Sequence, residues 1–212
     1  SKIIGGTAAK QVASLLTQAG LPVQAARCAD DIGVSANGCR RRAAQGLNKR
    51  LGKGAKRRIG IKVISRKSPG ASLKLVRPGL IAQQTWGHSV HGASPGQRRR
   101  MKVNIKNATK YGHSRACGTS VIATEFGTNV HPDVQMPAEQ VADWAKLWAS
   151  FTGKEKQRTR TAWRKTLSEM KLDMTKRWGL PSGPITATVN QLFDIGWTPS
   201  TPTAWNANPQ GE

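Results

Sequence analysis

The chain has 212 residues, 37% of them hydrophobic, and carries 34 Lys and Arg residues against 11 Asp and Glu residues. The low apolar fraction predicts a modest core, and the net charge of +23 favours a polyanionic partner, most commonly nucleic acid. No apolar run reaches the length of about 18 residues that a transmembrane helix needs, and neither an amphipathic apolar face nor a lipidation signal is evident, so we expect no membrane partner.

Three cysteines, an odd number without a CxxC spacing, indicate reduced thiols and hence an intracellular protein of the nucleus or cytoplasm. The histidines form an HxxH pair and, with one cysteine, an HxxxC pair, so a zinc site is conceivable. Polar loop positions are the simpler interpretation, because zinc ligands usually come as two tight pairs rich in Cys. The residues concerned are His88, His91, His113 and Cys117.

Residues 1–38 predict a small α/β element in the order strand, helix, strand, strand. Thr7 is a suitable N-cap, and Gly20 stands where a helix commonly ends. The two short apolar pieces after this helix, LPVQA and DIGVS, could pair as a hairpin or add to the edge of a sheet. The chain starts within this pattern without an initiating Met, so we expect it to be a piece of a longer protein.

Asp30 and Asp31 raise the alternative of a catalytic metal site, since polymerases hold two cations with a pair of aspartates in a tight turn and one more from another strand. These two are the only acidic residues in the first 124 positions. Because no third carboxylate completes the set, we interpret the pair as a solvated turn or strand start and expect no catalytic residue. A nuclease using the pair remains an alternative, which predicts Mg²⁺-dependent cleavage.

Residues 39–127 form a strongly basic helical region. From Ile32 to Thr124 there is no Asp or Glu, yet 21 of the 34 Lys and Arg residues fall there. A merely solvated charged face normally mixes both signs, so this imbalance favours a nucleic-acid-binding surface.

The elements of this region begin with a helix over 40–66, whose four glycines predict fraying in isolation and ordering on a polyanion. Its apolar stripe, at spacings of four, is Ala43, Leu47, Leu51, Ala55, Ile59 and Val63. Pro78 predicts a kink in the next helix. Ser94 and Pro95 predict the start of another, with Met101, Ile105 and Ala108 inward.

Residues 128–198 predict a Trp-rich helical region, with a Pro- and Thr-rich tail after it at 199–212. Three helices are expected, at 137–151, 158–178 and from 182 or 183 to 196. Trp144, Trp148 and Trp163 recur at helical spacing with other apolar residues and should be core. Trp86 and Trp205 remain open as stacking platforms for single strands. The fold class is therefore mainly α with a small α/β element at the N-terminus.

The order of these segments resembles the palm end, thumb and connection region of a non-LTR retroelement reverse transcriptase. Lys2 of SKIIGG matches a lysine after the catalytic aspartates, and DIGV matches a Leu-Gly-Val-type strand near the primer terminus. PGLIAQQTWG, residues 78–87, matches an apolar stretch of the thumb with Trp86 in the aromatic place. EQVADWAKLW and DIGWTPSTPTAW are similar to the segment that joins the thumb to the next domain, often a ribonuclease H domain, in some eukaryotic retroelement polyproteins.

The resemblance implies a part of an RNA-directed DNA polymerase that grips a template–primer duplex, RNA–DNA or RNA, without catalytic residues of its own. The catalytic aspartates would lie upstream of Ser1, the palm and fingers would be partners, and Mg²⁺ would serve the parent polymerase rather than this chain. Ile32, Gly33 and Val34 would form the primer-side strand. A free-standing basic RNA-binding or ribonucleoprotein-associated protein is the alternative.

Gripping a duplex needs cations on helices that contact phosphates without reading bases. The residues predicted to do so are Arg40, Arg41, Arg42, Lys49, Arg50, Lys53, Lys56, Arg57, Arg58, Arg98, Arg99, Arg100 and Lys102.

Overall fold

The structure is a computed structural model that describes residues 2–4, 7–26, 28–31, 34–37, 42, 44–180 and 183–207. The described chain is mainly helical with a small α/β element at its N-terminus, which confirms the fold class predicted from the sequence. No helix within these ranges is both long enough and apolar enough to cross a membrane.

The N-terminal element has the predicted order, with one difference in pairing. Strands β1 (Lys2–Ile4) and β2 (Gln24–Ala26) pair in parallel, and helix α1 (Thr7–Gln18) connects them. Strands β3 (Cys28–Asp31) and β4 (Val34–Asn37) form a separate antiparallel hairpin in which Asp31 lies opposite Val34. LPVQA thus contributes to the parallel pair rather than pairing with DIGVS. Ile32 and Gly33 lie outside the described residues.

The later helices have clear bounds. They are α2 (Gln45–Lys67), α3 (Pro69–Leu75), α4 (Ala82–Thr85), α5 (His88–His91), α6 (Pro95–Ala108), α7 (Gly118–Phe126), α8 (Pro132–Ser150), α9 (Gly153–Leu172) and α10 (Pro184–Asp194). Pro78 lies in a π-helical turn, Val76–Ile81, between α3 and α4, at the place where the sequence predicts a kink. Single 3₁₀ turns lie at Lys110–His113, Thr128–Val130 and Arg177–Gly179.

Three clusters of buried side chains hold these helices together. The first packs α2, α6 and α7 around the π-helical turn and comprises Ile61, Val76, Leu80, Ile81, Ile105, Ala108, Ile122, Phe126 and Val130. The second joins α2, α6 and α8 through Leu47, Leu51, Ala93, Met101 and Met136. The third joins α8, α9 and α10 through Trp144, Trp163, Met170, Val189 and Leu192. The second cluster crosses the boundary predicted between residues 127 and 128, so the basic and Trp-rich regions share a core.

The stripe predicted for the basic helix is wrong in its second half. Ile59 and Val63 are 61% and 57% exposed, whereas Ile61 is buried in the first cluster. A strict spacing of four residues drifts by about 40° per step around a helix with 3.6 residues per turn, so the predicted stripe leaves the buried face after Leu51. Gly54 lies on the buried face and packs directly on Gln84, where an added Cβ would lie 3.0 Å from three side-chain atoms. A close approach of this kind requires a glycine, and a pattern of apolar residues alone does not reveal it.

The segment predicted as a tail is also different in the structure. Residues Trp197–Pro199 (β5) and Trp205–Ala207 (β6) form an antiparallel hairpin. The carbonyl of Pro202 accepts a hydrogen bond from Trp144 Nε1 at 2.8 Å, and that of Pro199 accepts one from Trp163 Nε1 at 3.2 Å. The hairpin therefore satisfies the two buried indole N–H groups of the third cluster, which explains why the segment is ordered.

Candidate nucleic-acid interface

Helix α2 carries a row of three exposed lysines on the side opposite its buried face. Lys49, Lys53 and Lys56 come one after another at spacings of four and three residues, which places them on one helix face. Leu51 and Gly54, between them in sequence, point inward. We call Lys49, Lys53 and Lys56 the lysine row. Ammonium groups spaced along one helix face can contact successive phosphates of a nucleic-acid backbone.

A second row of cations on α2 was predicted only in its first member, Arg58. Arg58, Lys62 and Arg66 recur every four residues and line a cavity of about 450 Å³ together with His113. Arg58 Nη1 donates to Asn104 Oδ1 at 3.1 Å, which holds the first member of the row against α6. The four-residue spacing is visible in the sequence and could have identified Lys62 and Arg66.

Two of the arginines predicted to contact phosphates donate hydrogen bonds to backbone carbonyls of the fold. Arg42 Nε donates to His91 O at 3.1 Å, another of its nitrogens donates to Gly92 O, and its guanidinium lies 5.1 Å from the ring of Trp178. Burial lowers the pKa of Arg42 to about 10. Arg57 donates to Gly79 O, which ties α2 to the π-helical turn.

Arg98 is buried, with 6% of its surface exposed, and does not face solvent as a phosphate contact would. Its guanidinium donates to Asp133 Oδ1 at 2.9 Å, to Asp194 Oδ2 at 2.7 Å, and to two neutral acceptors, Ala93 O and Gln191 Oε1. The side chain thus connects α6 with α8 and α10. A sequence pattern of three consecutive arginines cannot distinguish this buried member from its exposed neighbours.

Lys102 also contacts Asp133, with its Nζ donating to Oδ2 at 2.6 Å. Burial of Asp133 raises the pKa of its carboxyl, but the hydrogen bonds from Lys102 and Arg98 outweigh that effect and hold the pKa below its usual value. Arg99 and Arg100, by contrast, are exposed on α6. Gln97 Nε2 donates to Asn48 Oδ1 at 3.0 Å, so these two arginines lie at the same end of the helix pair as Lys49.

The remaining predicted residues can be placed only in part. Arg40, Arg41, Ile32 and Gly33 lie outside the described residues, while Val34 is the first residue of β4. Strand β4 contacts α2, so the hairpin predicted at the primer side lies beside the helix that carries the lysine row. Arg50 lies on α2 between Lys49 and Lys53 and lines the same pocket as these two lysines.

The possible metal ligands lie apart in the described ranges, where no group of three or more His, Cys, Asp and Glu side chains could hold an ion. His88 is buried, with Nδ1 lying 2.7 Å from Thr85 O and Nε2 lying 3.5 Å from Glu139. Cys117 is exposed, and hydrogen bonds from the backbone of Ser120 lower the pKa of its thiol.

Comparisons of the chain with protein-family models, with curated proteins and with solved structures found no match.

Proposed function

We propose that this chain grips a nucleic-acid duplex through its phosphates, as the palm-end and thumb part of a retroelement reverse transcriptase. The observation that carries the proposal is the lysine row of α2, in a stretch of 93 residues from Ile32 to Thr124 without a single carboxylate. A surface of one sign attracts a polyanion at long range, and a row of ammonium groups can then contact the strand without reading bases.

The energetic consequence is a strong dependence of affinity on salt. If six to ten cations neutralise phosphates, affinity falls by about 10³ to 10⁵ between about 50 and 200 mM salt, because counterions are released on binding. Candidates whose side chains reach solvent include Lys49, Lys53, Lys56, Arg57, Lys62, Arg66, Arg99 and Arg100. Preference for a particular sequence should be slight, since phosphates are the same at every position.

Two structural observations support the assignment to a reverse transcriptase in particular. The segment that resembles the end of the palm forms a compact parallel unit with a hairpin after it, and β4 of that hairpin contacts α2. In such an arrangement the strand near the primer terminus and the gripping helix would contact the same duplex. The proposal gives this chain the role of holding the duplex and no step of phosphoryl transfer.

The duplex-binding proposal is tested by changing Lys49, Lys53 and Lys56 together to Gln. Binding of a fluorescein-labelled RNA–DNA hybrid is followed by anisotropy at several salt concentrations. Each lost phosphate contact removes about 0.9 from the slope of log affinity against log salt, so the triple variant should flatten it by about 2.7.

The matched control changes three exposed lysines of α9, Lys154, Lys165 and Lys171, to Gln, which removes the same net charge. It should leave the slope nearly unchanged. Equal flattening in both variants would show that total charge, not the lysine row, determines binding, and would refute the assignment of the site.

The reverse-transcriptase assignment has its own test in the reading frame upstream of Ser1. Aspartate-bearing polymerase motifs in that frame would support it. An initiating Met immediately before Ser1 would exclude it and leave a free-standing basic RNA-binding protein as the better explanation of the lysine row.

A further inference from the structure

A cavity of about 400 Å³ lies where the first turns of α2 meet the end of α4. Its volume falls within the range of about 300 to 1,000 Å³ that is typical of small-ligand sites. The side chains that line it include Lys49, Arg50, Lys53, Gln83 and Trp86. The cavity therefore combines three cations, a carboxamide and one large aromatic ring within a single concave surface.

Trp86 lines this cavity as a largely exposed residue. It is 57% exposed, unlike Trp144 and Trp163, which are buried. The N–H of Trp86 donates to Ala82 O at 3.2 Å, and the next residue, Gly87, adopts a left-handed conformation with φ of 65°. Helix α4 thus ends at Thr85 with Trp86 as its C-cap, and the left-handed conformation of the next residue favours glycine.

The lining narrows the chemistry of a ligand. Its three cations, Lys49, Arg50 and Lys53, favour a negatively charged group, and the exposed indole of Trp86 favours a flat π-face. A nucleotide has both, in its phosphate and its base.

We propose that this cavity binds an unpaired nucleotide of a nucleic-acid strand, with the base stacked on Trp86 and its phosphate on Lys49 and Lys53. The inference rests on the proposed function, because these two lysines belong to the lysine row that grips the duplex. A strand that runs along the row reaches the cavity without leaving the basic surface. The cavity would then hold the first single-stranded position beyond the duplex, and stacking there needs no particular base.

The experiment uses the whole 212-residue chain and three labelled hybrids. They are a blunt duplex, the same duplex with a short single-stranded overhang, and that overhang with abasic sites. Base–aromatic stacking is worth about 1–3 kcal/mol per base, so a base-bearing overhang should bind about 5- to 150-fold more tightly than the abasic one. DNA and RNA overhangs are both measured, since both carry the same phosphate and π-face.

Trp86→Leu should abolish this gain and leave blunt-duplex affinity unchanged, whereas Trp86→Phe should retain most of the gain because it keeps a π-face. Trp197→Leu is the matched control, since Trp197 is 41% exposed at a separate place on β5. It should leave all three affinities as they are. Far-UV circular dichroism confirms that each variant is folded.

The inference would be overturned if base-bearing and abasic overhangs bound equally well, or if Trp86→Leu retained the gain. Neither result would affect blunt-duplex binding, so the proposed function would stand. Absence of binding to all three hybrids would overturn both. Free AMP offers the same base and phosphate and is added as a competitor. Loss of the overhang gain only at millimolar AMP supports a strand nucleotide, whereas loss at micromolar AMP would assign the cavity to a free nucleotide instead.

Discussion

Replacing Arg98 by Met should destabilise the protein strongly and leave its affinity for nucleic acid nearly unchanged. The guanidinium donates to two carboxylates and two neutral acceptors, and 6% of the residue is exposed. Methionine fills a similar volume but donates to none of them. Removing one partner of a buried ion pair costs about 3–5 kcal/mol, because the other charge stays buried without compensation.

For Arg98→Met we expect a cost at the lower end of that range, because both carboxylates keep other partners. Asp194, whose side chain is 3% exposed, keeps donors from Arg177 and from Trp178 Nε1 when Arg98 is removed. Asp133 keeps its hydrogen bond from Lys102, and 40% of its side chain is exposed to water. We therefore expect a loss of about 3 kcal/mol in the free energy of unfolding. Arg98→Lys should not rescue it, since one ammonium cannot reach acceptors that a planar guanidinium bridges.

The assay is urea denaturation followed by circular dichroism, with duplex binding measured separately under conditions in which the variant is folded. Arg99→Met is the control. Arg99 is exposed, so its replacement should change the free energy of unfolding by no more than about 0.5 kcal/mol. Arg99→Met should instead weaken duplex binding. A loss below about 1 kcal/mol for Arg98→Met, or a loss of affinity equal to that of Arg99→Met, would refute the structural role.

Three further predictions concern α2 and the end of α9. Gly52→Ala and Gly60→Ala should each stabilise the protein by about 0.5–1 kcal/mol in thermal unfolding, since an added Cβ meets open space at both positions. Gly54→Ala should give no such gain, because its Cβ would lie 3.0 Å from Gln84. Lys62 and Arg66 changed together to Gln should flatten the salt slope of duplex binding by about 1.8, and an unchanged slope would remove the second row from the interface. A hydrogen bond from the side chain of Thr175, with further ones from Lys176, lowers the pKa of Asp173 to about 2. The stability that this carboxylate contributes is therefore present above its unfolded pKa of about 3.9 and is lost as the pH falls towards 2. Asp173→Asn should therefore be less stable than the wild type at pH about 6, and this difference should shrink near pH 2, as urea midpoints at the two pH values would show; a constant difference would contradict it.

Local signals in the sequence were enough to predict parts of the fold. Ser94 and Pro95 start α6 as expected, and the Ser94 side chain forms a capping box with Gln97. Met101 and Ile105 then lie in the core as their spacing predicts. Helix starts of this kind are determined by residues within one turn of each other, so the sequence shows them directly.

Features that depend on distant partners could not be predicted. Arg98 meets acceptors 35 and 96 residues away, and Arg42 meets carbonyls 49 and 50 residues away. Backbone carbonyls leave no mark in a sequence, so an arginine that donates to them looks the same as one that faces solvent. For the candidate site, total charge therefore indicated the kind of partner, whereas the difference between the exposed Lys53 and the buried Arg98 needed the fold.

The hairpin of β5 and β6 has a consequence for the way the chain folds as it is synthesised. Trp163 and Trp144 donate to carbonyls that lie 36 and 58 residues later in the chain. At synthesis rates of about 5–20 residues per second, the acceptor for Trp144 emerges about 3–12 s after the tryptophan itself. During that interval α8, α9 and α10 can collapse together, but two indole N–H groups remain without their acceptors. Completion of the Trp core therefore waits for the hairpin, which makes residues 197–207 the last part of that core to arrive.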